Sequence, residues 1–525
     1  MSTFRNEYRW VLVVALVIVL FASVPLFVGY GSQTADQRFV GAIYDRQDYS
    51  VHLAMMHYGA AGGWDYQLRF TTEQHTATYL KTFYVALGHL TGWMGVQLDV
   101  VFHVVGALLG LLVCLLIYRL LTRIFPGVNQ RRFALVLIIC GSGFGWIQIP
   151  FGLLPDPKIW PIDVWLIDAY IFFSIALFPH FSALIAALVL ALTAFLDHLE
   201  QPRWRHIAIM AACALFVQMV NPVVFGLADI AMLGAFVFSC WQKRSFNRLS
   251  ALTLGLLAII QLPLLAYSYN LLTRDPSWAV FTTQNATPSP PPIYLLLGYG
   301  LFWPFAVLGA INAFRRPSAG SGLAVFWAVA TFTLAYLPLA IQRRFLLAAT
   351  IPLGILAMPT IFEFSAWLGN RVSIRKSTGA VMIVMLTSLG SLFLVALYSI
   401  NISARPANLF EPLALVQAVD WLGKHGGAND VVLASEPTAQ LVAMRTPLRL
   451  YFGHEMETLY FDAKQSQVKS FYSGLQPQSW LAGLPINWVV YGPHEKELGT
   501  VAPAGPDLKI VYQNDSVTIY KVTPP

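Results

Sequence analysis

The sequence predicts an α-helical, polytopic membrane protein of about eleven spans, followed by a C-terminal extracytoplasmic α/β domain. Three observations lead there. Of 525 residues, 57% are apolar and only 11% charged, against about 25% charged in an ordinary soluble domain. Mean hydropathy is +0.61. Apolar runs long enough to cross a bilayer recur until about residue 405, where the composition changes. The formal charge of +7 does not signal a nucleic-acid partner, because the basic residues fall in short loops between apolar runs. Cys114, Cys140, Cys213 and Cys240 all sit inside such runs, so the polar segments hold no disulfide framework.

A span needs about 20 mostly apolar residues. Eleven segments qualify, at 10–30, 98–118, 133–150, 178–196, 206–220, 222–241, 249–268, 292–313, 322–341, 344–366 and 378–400. The first follows Arg5 and Arg9 but is too long for a signal-peptide core and lacks a small-residue cleavage site, so it reads as a retained anchor. Alternate connections differ in charge. The set that starts with the N-terminus holds sixteen basic residues, among them Arg131, Arg132, Arg315, Arg316, Arg371, Arg375 and Lys376. The opposite set holds eight in about twice the length. The positive-inside rule therefore predicts a cytoplasmic N-terminus and an extracytoplasmic C-terminus, in a cell (inner or plasma) membrane.

Three outward segments are long. Residues 31–97 are aromatic-rich and hold Asp45, Asp48, Asp65 and Glu73. Residues 151–177 contain DPKIWPIDVWLIDAYIFF, apolar yet interrupted by three aspartates, which predicts an interfacial or re-entrant segment. Residues 269–291 run into TPSPPP and read as a stiff, extended surface loop. The chain thus divides into a membrane domain, 1–404, and an α/β domain, 405–525. In the latter, 411–424 has helical periodicity, and strands are expected at 431–435, 449–453, 487–492, 508–513 and 516–522. The last two form a hairpin around Asn514-Asp515. No phosphate loop, nucleophile elbow, metal-spaced His/Cys set or internal repeat is present in the sequence, so no metal or cofactor is signalled.

Function is sought where polarity stands at a cost. Gln342-Arg343-Arg344-Phe345 lies between two apolar runs, on the side where positive charge is disfavoured. Paired arginines at a membrane surface hold phosphate through bidentate, charge-assisted hydrogen bonds; the alternative is snorkelling to lipid headgroups. In YDRQDYSVHLAMM (44–56), Asp45 and Asp48 are three apart and would share a helical face, with His52 four beyond Asp48. A partly desolvated aspartate there is a candidate base for an acceptor hydroxyl; otherwise these are solvated loop carboxylates. Glu73 is a further candidate of the same type. Asp163 and Asp168, with His180 in FPHF (178–181), complete the set of lining candidates. Asp229 lies inside an apolar run and is expected to pair with Asn221 or Gln218 rather than to react.

One anchor, an acidic outer loop, an interfacial segment, many further spans and a C-terminal outer domain together resemble the GT-C class of integral-membrane glycosyltransferases. That class includes protein O-mannosyltransferases, aminoarabinose transferases and oligosaccharyltransferases. The strings YDRQDYSVHLAMM, GSGFGW (141–146), PID (161–163), FPHF and QRRF are similar to those of a group of bacterial polytopic proteins of this kind. The resemblance implies membrane-lying helices in the first outer loop and a catalytic aspartate near its start, carried most naturally by Asp48 and next by Asp45. The class's adjacent acidic pair is absent. Arg343 and Arg344 would hold the lipid phosphate. The implied partners are a polyprenyl-phosphate sugar donor, membrane lipids and an envelope acceptor, with transfer at the outer face and inversion at the anomeric carbon. Two rivals predict other things. A transporter or flippase predicts polar residues spread at mid-depth along several spans. A non-catalytic scaffold predicts that function resides in 405–525 and is indifferent to Asp45 and Asp48.

Overall fold

In the computed structural model, residues 2–372, 375, 377–477 and 479–523 are described. The basic-loop residue Lys376 and the side chain of Arg5 lie outside them. The chain forms two compact units. One comprises residues 1–24, 103–268 and 286–397, the other residues 25–102, 269–285 and 398–525.

Helices occupy all eleven expected apolar segments, but they are not equally long. Among the described residues, seven are long and apolar enough to cross a membrane. An eighth arises if Pro292–Tyr299 and Phe302–Arg315, bent by 90° at their junction, count as one span. Gly300 supplies the bend with φ +42, a conformation glycine adopts without a Cβ penalty. The other three fall short of the length of a span. Trp204–Val220 and Ala319–Leu334 have 17 and 16 residues. Val128–Cys140 has 13. The 133–150 run breaks because Gly141-Ser142-Gly143 ends the helix, and the 322–341 run stops at Leu334 ahead of Pro338, which has no N–H to donate.

Burial separates the helices of the first unit. Pro179–Glu200 is almost wholly enclosed, while Arg248–Arg274 exposes Leu249, Leu252, Leu256, Ile259 and Leu262, the pattern expected of a lipid-facing helix. Packing relies on small residues. A Cβ on Gly234 would stand 2.4 Å from the Gly322 carbonyl oxygen, and one on Gly322 would stand 2.3 Å from that of Gly234. The backbones of Phe225–Lys243 and Ala319–Leu334 meet there with no room for a side chain. Asp229 is bonded by Gln261 Nε2 (3.2 Å), and Gln218 Nε2 donates to Gln261 Oε1 (2.9 Å). Gln218 therefore reaches Asp229 through Gln261 and not directly.

In the 151–177 segment, residues 151–160 are largely exposed, whereas 161–175 are almost wholly buried. Two 3-10 turns, Ile162–Val164 and Ile167–Ala169, and the helix Ile171–Ala176 are buried inside the first unit.

The second unit contains an antiparallel pair, β1 (Gln37–Phe39) with β2 (Phe410–Pro412), and a five-stranded sheet. The sheet's strands are β3 (Val431–Leu433), β4 (Arg449–Leu450), β5 (Trp488–Tyr491), β6 (Leu508–Gln513) and β7 (Thr518–Val522), in the order β4-β3-β5-β7-β6. All five lie within the expected strand segments, and β6 and β7 form the antiparallel hairpin, closed by Asn514 N–H on the Val517 carbonyl. Helix Leu413–His425 occupies the segment with helical periodicity. Residues 276–284, expected to be extended, are helical instead. Asp275 accepts the N–H groups of Ser277 and Trp278, and Pro276 takes the first helical position, a start signal that the Pro-rich tail obscured.

A buried ion pair ties the acidic loop to β2. Arg46 Nη2 stands 2.5 Å from Glu411 Oε1, and Glu411 Oε2 bonds His494 Nε2 at 2.8 Å. Burial alone would lower the His494 pKa, but Glu411, with a smaller contribution from Glu495, outweighs burial and the repulsion of Arg46 and raises it. A raised folded value means that protonated His494 contributes stability fully below its ordinary value of about 6.5, and that this is lost as pH climbs through the raised value.

Three outcomes follow for purified protein in detergent. Gly234→Val or Gly322→Val overpacks the helix crossing and lowers stability by about 1–3 kcal/mol, read as an earlier thermal transition. Glu411→Gln leaves Arg46 buried without its counter-charge and lowers stability by about 3–5 kcal/mol. The wild-type melting temperature falls between neutral and alkaline pH, and His494→Gln flattens that dependence; an equally steep curve in the variant refutes this role for His494.

Candidate active site

In the second unit, the helix Arg46–Ala60 carries the acidic cluster. Asp45 is its N-cap: at φ 25 it lies outside the helix, and Oδ1 accepts the Asp48 N–H at 3.1 Å. The two aspartates therefore meet as cap and capped residue, not as side chains on one helical face. Arg46 is fixed by Glu411 and donates to the carbonyls of Asn408 (3.1 Å) and Pro437 (2.6 Å). Gln47 Nε2 donates to Glu436 Oε1 (3.1 Å), and Gln47 Oε1 accepts from Glu455 N–H (3.3 Å). With its neighbours held, Asp48 presents a half-exposed carboxylate, and His454 Nε2 stands 3.5 Å from its Oδ1. His52 stacks on Tyr84 with ring centroids 4.0 Å apart.

Glu73 is placed elsewhere in that unit. Lys464 Nζ lies 2.7 Å from Glu73 Oε2, and Thr71 Oγ1 donates to the same oxygen. Burial would raise the Glu73 pKa, but these bonds hold it below its ordinary value; burial of Lys464 outweighs the pair and lowers the ammonium. This pair joins the loop to the helix Phe461–Tyr472 and leaves Glu73 poorly suited to take a proton.

In the first unit the sequence candidates fall into two groups. Asp163 Oδ2 accepts the N–H groups of Gly143 and Gly145, each at 3.1 Å. A Cβ on Gly145 would come 2.4 Å from Asp163 Oδ1, so GSGFGW and PID are two halves of one cradle. Burial pushes the Asp163 pKa to about 7, against those backbone bonds. Asp168 is buried, and burial raises its pKa against the opposing pull of Arg344 and, less, Arg343. The two guanidinium groups thus act on a common carboxyl.

The turn that carries them, Gln342–Leu346, is a 3-10 helix ahead of the long helix Thr350–Val372. It is pinned from two sides. Arg343 N–H bonds the Thr287 carbonyl (3.0 Å), and Ser289 N–H bonds Gln342 Oε1 (3.0 Å), which sets TPSPPP against the turn. Ala348 N–H bonds the Asp168 carbonyl at 2.9 Å. The Arg343 guanidinium lies over the Trp165 ring, 5.3 Å from its centroid. His180 follows Pro179 at the head of Pro179–Glu200 and packs its ring against Phe178 and Phe181.

The sequence therefore named the residues of each unit's cluster but not all of their partners. His454 and Glu436 were missed; both lie in the C-terminal segment, about 400 residues along the chain from Asp48, and neither stands in a chemical motif. Asp163 and Glu73 engage in the contacts that hold their loops.

Comparison with known proteins adds three findings. Residues 143–288 match glycosyltransferase family 87 (GT87), a stretch that starts inside GSGFGW and takes in Asp163, Asp168 and His180. No curated protein sequence matches the chain. Among solved structures, the Archaeoglobus fulgidus oligosaccharyltransferase tethered to an acceptor peptide aligns with TM-score 0.53 and 13% identity, over 94% of this chain and 70% of that one. ArnT from Cupriavidus metallidurans bound to undecaprenyl phosphate aligns with TM-score 0.52 and 14% identity, over 96% of this chain and 97% of that one. The mycobacterial arabinofuranosyltransferase AftD aligns with TM-score 0.50 and 14% identity, over 97% of this chain but 41% of AftD. In fold, then, the chain is similar to these three membrane transferases, and its residues 143–288 match the glycosyltransferase family 87 model.

Proposed function

We propose that the protein is an inverting glycosyltransferase that moves a sugar from a polyprenyl-phosphate donor to an envelope acceptor on the extracytoplasmic side of the cell membrane. The observation that carries this reading is the Arg343-Arg344 turn. Two adjacent arginines stand ahead of a long apolar helix, and their positive charge opposes the burial-driven rise of the Asp168 pKa. The turn gathers two cationic side chains, and the Trp165 and TPSPPP contacts hold it in place. A phosphate at the end of a lipid chain matches both the charge and the apolar surroundings. The undecaprenyl phosphate named for ArnT and the dolichol-phosphate named for the archaeal enzyme are ligands of the same chemistry.

The reaction then divides among this chain's residues. Asp48 takes the proton from an acceptor hydroxyl as its oxygen attacks the anomeric carbon. The bond from that carbon to the phosphate oxygen breaks, and the leaving phosphate keeps the electron pair. Arg343 and Arg344 stabilise the charge that develops there. Asp168 orients the arginines, and Asp163 holds the Gly143–Gly145 turn. In this reading residues 405–525 form the extracytoplasmic domain and help to seat the acceptor, and Asp45 caps the helix that presents the base. His180 and Glu73 line the approaches, with Glu73 held by Lys464.

Purified protein in lipid nanodiscs, given a radiolabelled polyprenyl-phosphate sugar and envelope extract, tests it. Asp48→Asn is expected to lower transfer by about 10²–10⁴-fold while donor binding persists. Arg344→Ala is expected to weaken donor binding as well as transfer. Transfer that survives the double substitution overturns the site, and donor translocation across the bilayer without transfer favours a flippase.

A further inference from the structure

The loop at 453–458 carries a histidine whose hydrogen bonds fix its tautomer. His454 is buried, with its ring tilted on Phe70 at 5.6 Å. Its Nδ1 accepts two backbone N–H groups, from Met456 (3.0 Å) and Glu457 (3.1 Å). A ring nitrogen that accepts cannot carry a proton, so the neutral ring has its hydrogen on Nε2. His454 N–H bonds Thr458 Oγ1 at 3.2 Å, which locks the loop around the ring. Nε2 is buried and makes no hydrogen bond of standard geometry, yet it stands 3.5 Å from Asp48 Oδ1. A single donor, with its tautomer set from behind, is aimed at the half-exposed carboxylate.

We propose that His454 is a positioning residue for Asp48: its Nε2–H orients the carboxylate and stabilises the charged form that takes the acceptor's proton. The role of Asp48 as base rests on the reading above; the His454–Asp48 coupling does not. A hydrogen bond to the ionised form favours that form, and catalytic contacts that are long without substrate tighten when it binds. The arrangement is that of a carboxylate and an imidazole with the usual direction of support reversed, since here the imidazole is fixed and the carboxylate meets the substrate. Other ionisable groups near the pair are Asp45 and Arg46 at the start of the aspartate's helix, Glu436 at the head of Glu436–Arg445, and Glu455 and Glu457 in the histidine's own loop. Of these, Arg46 is paired with Glu411, Glu436 receives Gln47 and Gln440, and Glu457 bonds Tyr66 and Lys81.

Two substitutions separate positioning from loop structure. His454→Asn puts an acceptor where Nδ1 stands and keeps the loop bonds, but has nothing to offer Asp48. His454→Gln reaches the Nε2 position with an amide donor and gives up the loop bonds. The readout is the pH dependence of carbodiimide labelling at Asp48 in full-length protein in nanodiscs, measured by peptide mass spectrometry; it requires no sugar transfer. The expected result is a labelling midpoint about one pH unit higher in His454→Asn than in wild type, and within about 0.3 unit of wild type in His454→Gln. An unchanged midpoint in His454→Asn, or a shift in His454→Gln alone, overturns the proposal. Should His454→Asn not fold, ¹⁵N shifts of histidine-labelled wild type decide: a proton on Nε2 supports the proposal, and one on Nδ1 overturns it. If the midpoint shifts as expected while Asp48→Asn still transfers sugar, the coupling stands and the assignment of Asp48 as base falls.

Discussion

A charge in apolar surroundings must find a counter-charge or a set of fixed dipoles, and in this protein that requirement decides where chemistry is available. The positive charge of Arg344 and, less, of Arg343 opposes the cost of burying Asp168. Asp163 takes two backbone N–H groups from the Gly143–Gly145 turn. Glu73 has Lys464, and Glu411 has both Arg46 and His494. Most of the costly groups are therefore answered locally. The arginine turn gathers two guanidinium groups ahead of an apolar helix, and gathered positive charge is what an anionic substrate needs.

The same requirement explains why loops carry so much of the architecture. The acidic helix begins with Asp45 as cap and Arg46 as a buried anchor, so the backbone that presents Asp48 is fixed within its first turn. The proline run at 287–292 cannot form a helix, and it serves instead as an extended strap with Thr287 and Ser289 bonded to the arginine turn. Trp165 gives the Arg343 guanidinium a flat apolar surface to lie on. The strap and the Trp165 ring restrict the arginine turn to one region.

Much of this was legible in the sequence, for physical reasons that can be stated. Apolar runs of bilayer length announced the helices, and the five strands of the second unit stood out by their β-branched and aromatic runs between turns. What failed were boundaries set by single residues. Gly141-Ser142-Gly143 cut one apolar run short, Pro338 ended another early, and Asp275-Pro276 began a helix in a stretch read as extended. Hydropathy is blind to such punctuation. Within the two clusters, the residues with unusual placement (Asp48, Asp163, Asp168, Arg343, Arg344) could be picked out, but not the contacts that hold them. Glu73 read as a further candidate of the same type as Asp48, and Asp163 as a lining residue. Only their bonding partners, distant in sequence, distinguish a carboxylate held for structure from one left half-exposed. His454 gave no signal, since its importance comes from two backbone amides behind it and an aspartate about 400 positions earlier.

The claim on which the account turns is that the cationic turn takes the phosphate of a lipid carrier. The most direct measurement is photo-crosslinking with a short polyprenyl phosphate bearing a diazirine on the isoprenoid unit next to the phosphate, followed by peptide mapping. The account predicts labelling concentrated at residues 165–168 and 340–348, competed by unlabelled polyprenyl phosphate but not by the dephosphorylated alcohol. Labelling spread over the exposed apolar helix faces, or competed equally well by the alcohol, would contradict it.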